Sequence, residues 1–169
     1  MNPNVVTIRI ATPGDLDVLD DLIRRSYATL DDGSYDREMI AAAMPAISHA
    51  NPKLLASGTY FVAEANGEAA GCGGWTMVKP GTDEFEHGVA HIRHFATHPA
   101  HQRKGVARRL LERCIADAAS AGARRMKSQS TLPAERFYAS AGFRRLGVRD
   151  AEIAPGIHLP VVDMGRAIP

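Results

Sequence analysis

Apolar positions along the chain change period several times, and each change marks an element. Val5 to Ile10 (VVTIRI) alternates and is rich in β-branched residues, which predicts a strand. Leu16, Leu19, Leu22, Ile23 and Tyr27 then recur at helical spacing. Thr12 is placed to cap that helix, Pro13 takes its first position, and Asp15 completes a capping box. A second helix is predicted over 36–47, interrupted by Pro45, after the polar loop DDGSYD. From Gly58 the strand period returns. TYFVAEANGEAAGCGGWTMV predicts two strands joined at Asn66-Gly67, a dipeptide suited to a tight hairpin turn.

GVAHIRHFAT predicts another strand, running up to Pro99. Val106, Leu110, Cys114 and Ala118, flanked by Ala107, Leu111 and Ile115, make one apolar stripe of a helix that Gly122 ends. RRMKSQST predicts a strand and PAERFYASA a short helix closed by Gly142; FRRLGV and LPVVDMGRA predict two further strands. No internal repeat or linker interrupts this order. Strands come first in hairpins and later alternate with helices, so the pattern predicts one α/β (or α+β) domain over residues 1–169.

Composition narrows the picture only a little. Hydrophobic residues make up 45% and charged ones 23%, an ordinary soluble composition. A net charge of +1 gives no global pull towards nucleic acid or membrane. Cys72 and Cys114 form no C-x-x-C pair, so a disulfide framework is not expected and a reducing cytoplasmic setting is. MNPNVVTIRIATPGD lacks a basic region and an apolar run, so no signal peptide is expected. No apolar stretch approaches the roughly 20 residues of a membrane-spanning helix.

Charge matters locally. In HPAHQRKGVARRLLERC, Arg103, Lys104, Arg108 and Arg109 crowd the start of the long helix. A helix N-terminus is already locally positive, so cations there are unfavourable unless an anion is the intended ligand. Gly105 lets a ligand approach the backbone closely, and successive N–H groups from Arg103 to Arg108 are candidates to face one anionic group. Neither a Walker A loop nor G-x-G-x-x-G is present. On these residues alone, anion binding and a plain strand-to-helix turn with solvated basic residues weigh equally.

Gln102-x-x-Gly105-x-Ala107 resembles the Q/R-x-x-G-x-G/A signature of the GNAT-type acyl-CoA N-acyltransferases. The strand ending before Pro99, the long amphipathic helix, the next strand and Phe137-Tyr138-x-x-x-Gly142-Phe143 follow in that family's order. The order of elements matches from about Ile8 to Val148, and the specific motifs lie in 92–108 and 131–143. The resemblance implies a mixed central sheet flanked by helices on both faces. It implies acetyl-CoA as acyl donor, an amine acceptor, and transfer by direct attack in a ternary complex without a metal. The amides of Arg103, Lys104, Gly105, Val106, Ala107 and Arg108, after Gln102, would hold the coenzyme pyrophosphate. Phe95, Ala96 and Thr97 would pair with the pantetheine arm like an added strand, and amides near Ala96 and Thr97 would polarise the thioester carbonyl. Thr131 stands where the family often has an asparagine contacting pantetheine, seven residues before the tyrosine. Tyr138 resembles the general acid to the departing thiolate. The resemblance names no partner beyond the thioester and the acceptor, and leaves a homodimer open.

The general base is not identified by motif. Glu84, Glu86, His91 and Arg93 lie near the central strand, and His91 is the best single candidate, although a satisfied or exposed histidine is the commoner case and in the family the base is often absent or reached through water. Acceptor specificity is expected from YATLDDGSYD and the first two helices, where Asp31, Asp32 and Asp36 hint at a cationic acceptor, although acids in a polar loop are more often simply solvated. Three other readings compete with this one. His87, His91, His94, His98 and His101 would form one metal-binding stripe on a helix, but their strand context divides them between two faces. A nucleic-acid binder would use Arg103–Arg109 with Arg124 and Arg125, against the balanced total charge. A non-catalytic acyl-CoA sensor of the same fold differs from an enzyme only in turnover.

Overall fold

Adjacent residues of a strand point to opposite faces of its sheet, yet Tyr60, Phe61, Val62 and Ala63 are all buried. The central strands are therefore covered on both sides. The structure, a computed structural model, describes residues 5–169; residues 1–4 of the expected domain lie outside it. Strands β1 (Val6–Ile10), β2 (Tyr60–Ala65), β3 (Glu68–Thr76), β4 (Val89–Thr97), β5 (Arg125–Ser130), β6 (Arg144–Ala154) and β7 (Ile157–Ala167) form one sheet in the order β1-β2-β3-β4-β5-β7-β6. Among the described residues only the central pair, β4 and β5, is parallel.

On one face lie α1 (Leu16–Tyr27), α2 (Arg37–Ile47) and α3 (Pro52–Leu55), and on the other α4 (Val106–Ser120) and α5 (Glu135–Ser140). Leu19, Leu22 and Ile23 of α1 pack with Tyr60, Val62, Cys72 and Ala96. Val106, Leu110 and Cys114 of α4 pack with Phe61, Ala63, Ala90, Ile92 and Met126. The same strand thus feeds two cores by alternation. Full burial of side chains of this size contributes about 1.5–3 kcal/mol each, so the two cores dominate the favourable side of folding.

Local signals appear where the sequence places them. Asn66 and Gly67 both take positive φ in the β2–β3 turn. Asp36 caps α2, accepting from Glu38 N at 3.1 Å and Met39 N at 3.2 Å. Gly122, at φ +97°, follows α4. Three differences are instructive. Pro13–Asp15 form a separate 3₁₀ turn ahead of α1. Pro45 sits inside α2 without ending it; only two residues follow it in the helix, so little of the ladder is lost. The last two strands are longer than their alternation predicts, running through 144–154 and 157–167 around Gly156. β6 is a largely exposed edge strand, so only a fragment of it carries an apolar signature.

The feature that shapes the centre is a break in β4. The β4–β5 ladder runs Val89↔Arg125, Ala90↔Met126, His91↔Lys127 and then stops. On its other side, β4 pairs Arg93 with Gly74 and Ala96 with Cys72, so it spends one more residue than β3 does over that stretch. His94, at φ +47°, lies in this bulge. A bulge bends a strand and increases its twist. The bulge lies just past the point where β4 leaves β5.

Candidate active site

Beyond the last β4–β5 pair a cleft of about 470 Å³ opens, and the start of α4 closes one end of it. It brings together Phe95, Ala96 and Thr97 from the end of β4 with Gln102, Arg103, Gly105, Val106, Ala107 and Arg108 from the following turn. Thr131 and Tyr138 stand on the opposite wall. Lys104 belongs to the turn but does not line the cleft.

The turn is tight because two of its residues are left-handed: Arg103 at φ +61° and Gly105 at φ +79°. Gly105 is the N-cap of α4, and its carbonyl accepts the first helical bond, from Arg109 N at 3.0 Å. Among the described residues, the amides of 103–108 donate to no protein group. They form a row of free donors where the helix dipole adds positive potential. The basic cluster is less uniform than its sequence. Arg109 Nη2 donates to Val6 O at 3.1 Å, away from the turn, while Arg108 Nη2 reaches Ser140 Oγ of α5 at 2.9 Å.

Tyr138 is buried, with 5% of its surface exposed, among Phe137, Phe143 and Phe95 at ring separations of 5.0, 5.3 and 6.4 Å. Phe95 finds its place because residue 73 is glycine: a Cβ there would meet the phenyl ring at 2.3 Å. The Tyr138 hydroxyl bonds to no group of the described residues, and the residue lines the cleft. Burial pushes its ionisation well above the ordinary phenol range, so it keeps its proton. Thr131 precedes the 3₁₀ turn that leads into α5, and its carbonyl accepts from Ala134 N at 3.1 Å.

The free edge of β4 is met by two residues from the last turn of α1. His98 N donates to Ala70 O, so this end of β4 pairs with β3 through alternate residues and turns Phe95 and Thr97 to the cleft side. There Tyr27 Oη donates to Phe95 O at 3.1 Å, and Thr97 N donates to Ser26 Oγ at 3.2 Å. Tyr27 also packs against His94, whose Nε2 lies 2.8 Å from Ile47 O. In the sequence Tyr27 opens the segment expected to face the acceptor and Ser26 is its polar neighbour in α1; neither signals a contact with the edge of β4.

A second cavity, of about 610 Å³, adjoins the first, and Ile92 and Gln129 line both. His91, Glu84 and Glu86 line it, whereas Arg93 does not and instead donates to Thr76 Oγ1 at 3.1 Å. Its charges are paired: Lys127 with Glu86 at 3.6 Å, Lys79 with Glu84 at 3.9 Å, and Arg149 with Asp163 at 2.7 Å. His91 lies below the ordinary imidazole range, first through burial and then through the Lys127 charge. Asp31, Asp32 and Asp36 line neither cavity. They serve Arg37, Ser34 N and the α2 cap instead. Among the described residues no three His, Cys, Asp or Glu side chains group to hold a metal ion. His98 caps the turn after β4, its Nδ1 accepting from Ala100 N at 3.0 Å. No helix of the described residues is long and apolar enough to cross a membrane.

Known proteins sharpen this picture. The fold matches the GCN5-related N-acetyltransferase of Rhodopseudomonas palustris (TM-score 0.77, 20% identity, 99% of this chain and 98% of that one). It also matches the PaiA N-acetyltransferase of Thermoplasma acidophilum solved with coenzyme A (TM-score 0.69, 16% identity, 96% and 99%). A third match is yncA of Salmonella typhimurium solved with acetyl-CoA (TM-score 0.67, 21% identity, 98% and 95%). Comparison with curated protein sequences gives no match. The sequence pattern of the acetyltransferase (GNAT) family, however, matches residues 18–143, a span holding the bulged β4, the amide-lined turn and the Tyr138 helix. With that match the chain belongs to the GNAT acetyltransferase family.

Proposed function

We propose that residues 1–169 form one catalytic domain that moves an acetyl group from acetyl-CoA to a primary amine within a ternary complex. The observation that carries this is the meeting of two cavities at Ile92 and Gln129, in the gap between β4 and β5. One cavity offers the row of free amides at 103–108, suited to a pyrophosphate. Two relatives of the same fold were solved with coenzyme A or acetyl-CoA, which supports that ligand here. The pantetheine arm lies along Phe95, Ala96 and Thr97, with Thr131 opposite, and its thioester reaches the gap. The acceptor enters through the second cavity.

In this reading the amine nitrogen attacks the thioester carbonyl carbon, the carbonyl oxygen takes up negative charge, and the C–S bond then breaks. The amide of Phe95, on the cleft side of β4 and separate from the Thr97 amide that faces the arm, hydrogen-bonds the oxyanion. Tyr138 supplies a proton to the departing sulfur as general acid. Its raised ionisation does not disqualify it, because the apolar wall that penalises a phenolate also penalises a thiolate. His91, neutral at physiological pH, takes the amine proton on the second-cavity side, directly or through one water.

The experiment is thiol release from acetyl-CoA across a panel of small amines, amino acids and peptides. Release that depends on one acceptor class, with the acetylated product found by mass spectrometry, is the expected result. Coenzyme binding without acceptor-dependent release from any member would favour a sensor of the same fold.

A further inference from the structure

Two backbone groups on the cleft edge of β4 are already engaged, and they differ in how many partners they accept. Phe95 O has two lone pairs, so the Tyr27 hydroxyl at 3.1 Å leaves room for a second donor. Thr97 N has one hydrogen, and Ser26 Oγ at 3.2 Å takes it. An extended arm carrying an amide, laid along this edge like a strand, needs a carbonyl acceptor and an N–H donor two residues apart on β4. Phe95 O and Thr97 N are that pair. The arm can share Phe95 O with Tyr27, but it cannot share Thr97 N with Ser26.

We propose that Ser26 competes with the pantetheine arm for the Thr97 amide, so that seating the coenzyme exchanges one hydrogen bond of β4 for another. This rests on the coenzyme reading above. Ser26 is suited to the exchange by its place in the last turn of α1, beside the cleft and partly accessible. Its neighbours stay put. Tyr27 is anchored by its ring against His94 and by its bond to Phe95. Tyr35, at the far end of the segment joining α1 to α2, donates to Pro160 O at 2.8 Å and accepts from Leu132 N at 2.9 Å. The segment between the two tyrosines therefore bridges the β4 wall and the β5–α5 wall, and only the serine contact has to open. Ser26 is a residue that sets coenzyme affinity by withholding a donor.

The test is Ser26→Ala, with calorimetric Kd values for coenzyme A and for adenosine 3′-phosphate 5′-diphosphate, which lacks the pantetheine arm. A net intramolecular hydrogen bond of ordinary strength predicts coenzyme A binding about two- to tenfold tighter in the variant. The Kd for the truncated nucleotide should stay unchanged. Ser26→Cys, a weaker acceptor of similar shape, should fall between parent and alanine. Weaker coenzyme A binding in Ser26→Ala would make the serine a ligand contact and overturn the proposal. Equal shifts for both nucleotides, or no shift in either, would overturn it as well. If the parent binds neither nucleotide, the coenzyme reading itself fails and takes this inference with it.

Discussion

His91 of β4 faces Lys127 of β5 across the last rung of their parallel ladder, and beyond that pair the strands part. Parting leaves backbone donors and acceptors without a sheet neighbour, which burial does not tolerate unless other groups satisfy them. Ser26 and Tyr27 satisfy two of them from α1. The bulge at His94 turns the strand, and Ile92 is left lining a cavity on each side of the gap.

Tyr138→Phe keeps the ring among Phe95, Phe137 and Phe143 and removes a hydroxyl that bonds to no described group. Stability should therefore move by less than about 0.5 kcal/mol. General acids contribute about 10²–10⁴-fold; thiolate leaves readily, so kcat should fall towards the low end, roughly tenfold to a hundredfold. The coenzyme Kd should hardly change, because the turn at Gly105 is untouched. Steady-state kcat with a verified acceptor, beside calorimetry, checks this. An unchanged kcat when chemistry limits the rate would reduce Tyr138 to packing.

At Gly105 two effects can be separated. A Cβ built there meets nothing within 4 Å, yet the residue sits at φ +79°. Gly105→Ala should cost about 1–2 kcal/mol of stability through backbone strain alone and still bind coenzyme A. Gly105→Glu carries the same strain plus a carboxylate beside the free amides, and should lose coenzyme binding. Thermal melts and calorimetry on both variants check it. Equal affinity for Ala and Glu would remove the anion site from this turn.

Because His91 is held below its ordinary value of 6.5, it is the neutral form that is present at pH 7. The parent's kcat/KM should then fall as pH drops through a point below 6.5. His91→Gln should abolish that acid limb and lower the plateau by about tenfold to a hundredfold. Tyr138 adds no limb at neutral or mildly alkaline pH, since burial raises its ionisation. An acid limb that survives in His91→Gln would assign it to another group.

Asp15 joins β1 to α1 by accepting from Arg9 Nη2 at 2.7 Å and from Thr12 N at 2.8 Å. The Arg9 hydrogen bond, more than any other contact, holds its carboxyl down at about 2 against an ordinary 3.8. A depressed carboxyl stabilises the fold above its ordinary value and loses that contribution as pH falls towards the depressed one. Urea midpoints should therefore drop between pH 4 and pH 2, and Asp15→Asn should flatten that drop while lowering stability at pH 7. A parallel pH dependence in parent and variant would exclude this pair as its source.

What the sequence determined by itself was local, because it rests on forces acting over a few residues. Asn66-Gly67 demands positive φ whatever surrounds it, Asp36 reaches amides two and three residues on, and Gly105 ends a turn that larger residues resist. The α4 stripe was legible for the same reason, whereas the role expected of Tyr138 came from the resemblance of its motif to a known family. The tertiary structure decided the rest. β6 is an edge strand whose pairing partner, not its composition, makes it a strand through Ala154. The bulge places His94 against Tyr27 and within reach of Ile47 O, both distant in sequence, and alternation in Ile92-x-His94-x-Ala96 gives no sign of it. Ser26 meets Thr97 from 71 residues away and Tyr27 meets Phe95 from 68. Such bonds exist only once both faces of the sheet are packed, since burial is what brings a helix terminus onto an open strand edge and makes an unpaired amide costly enough to need it.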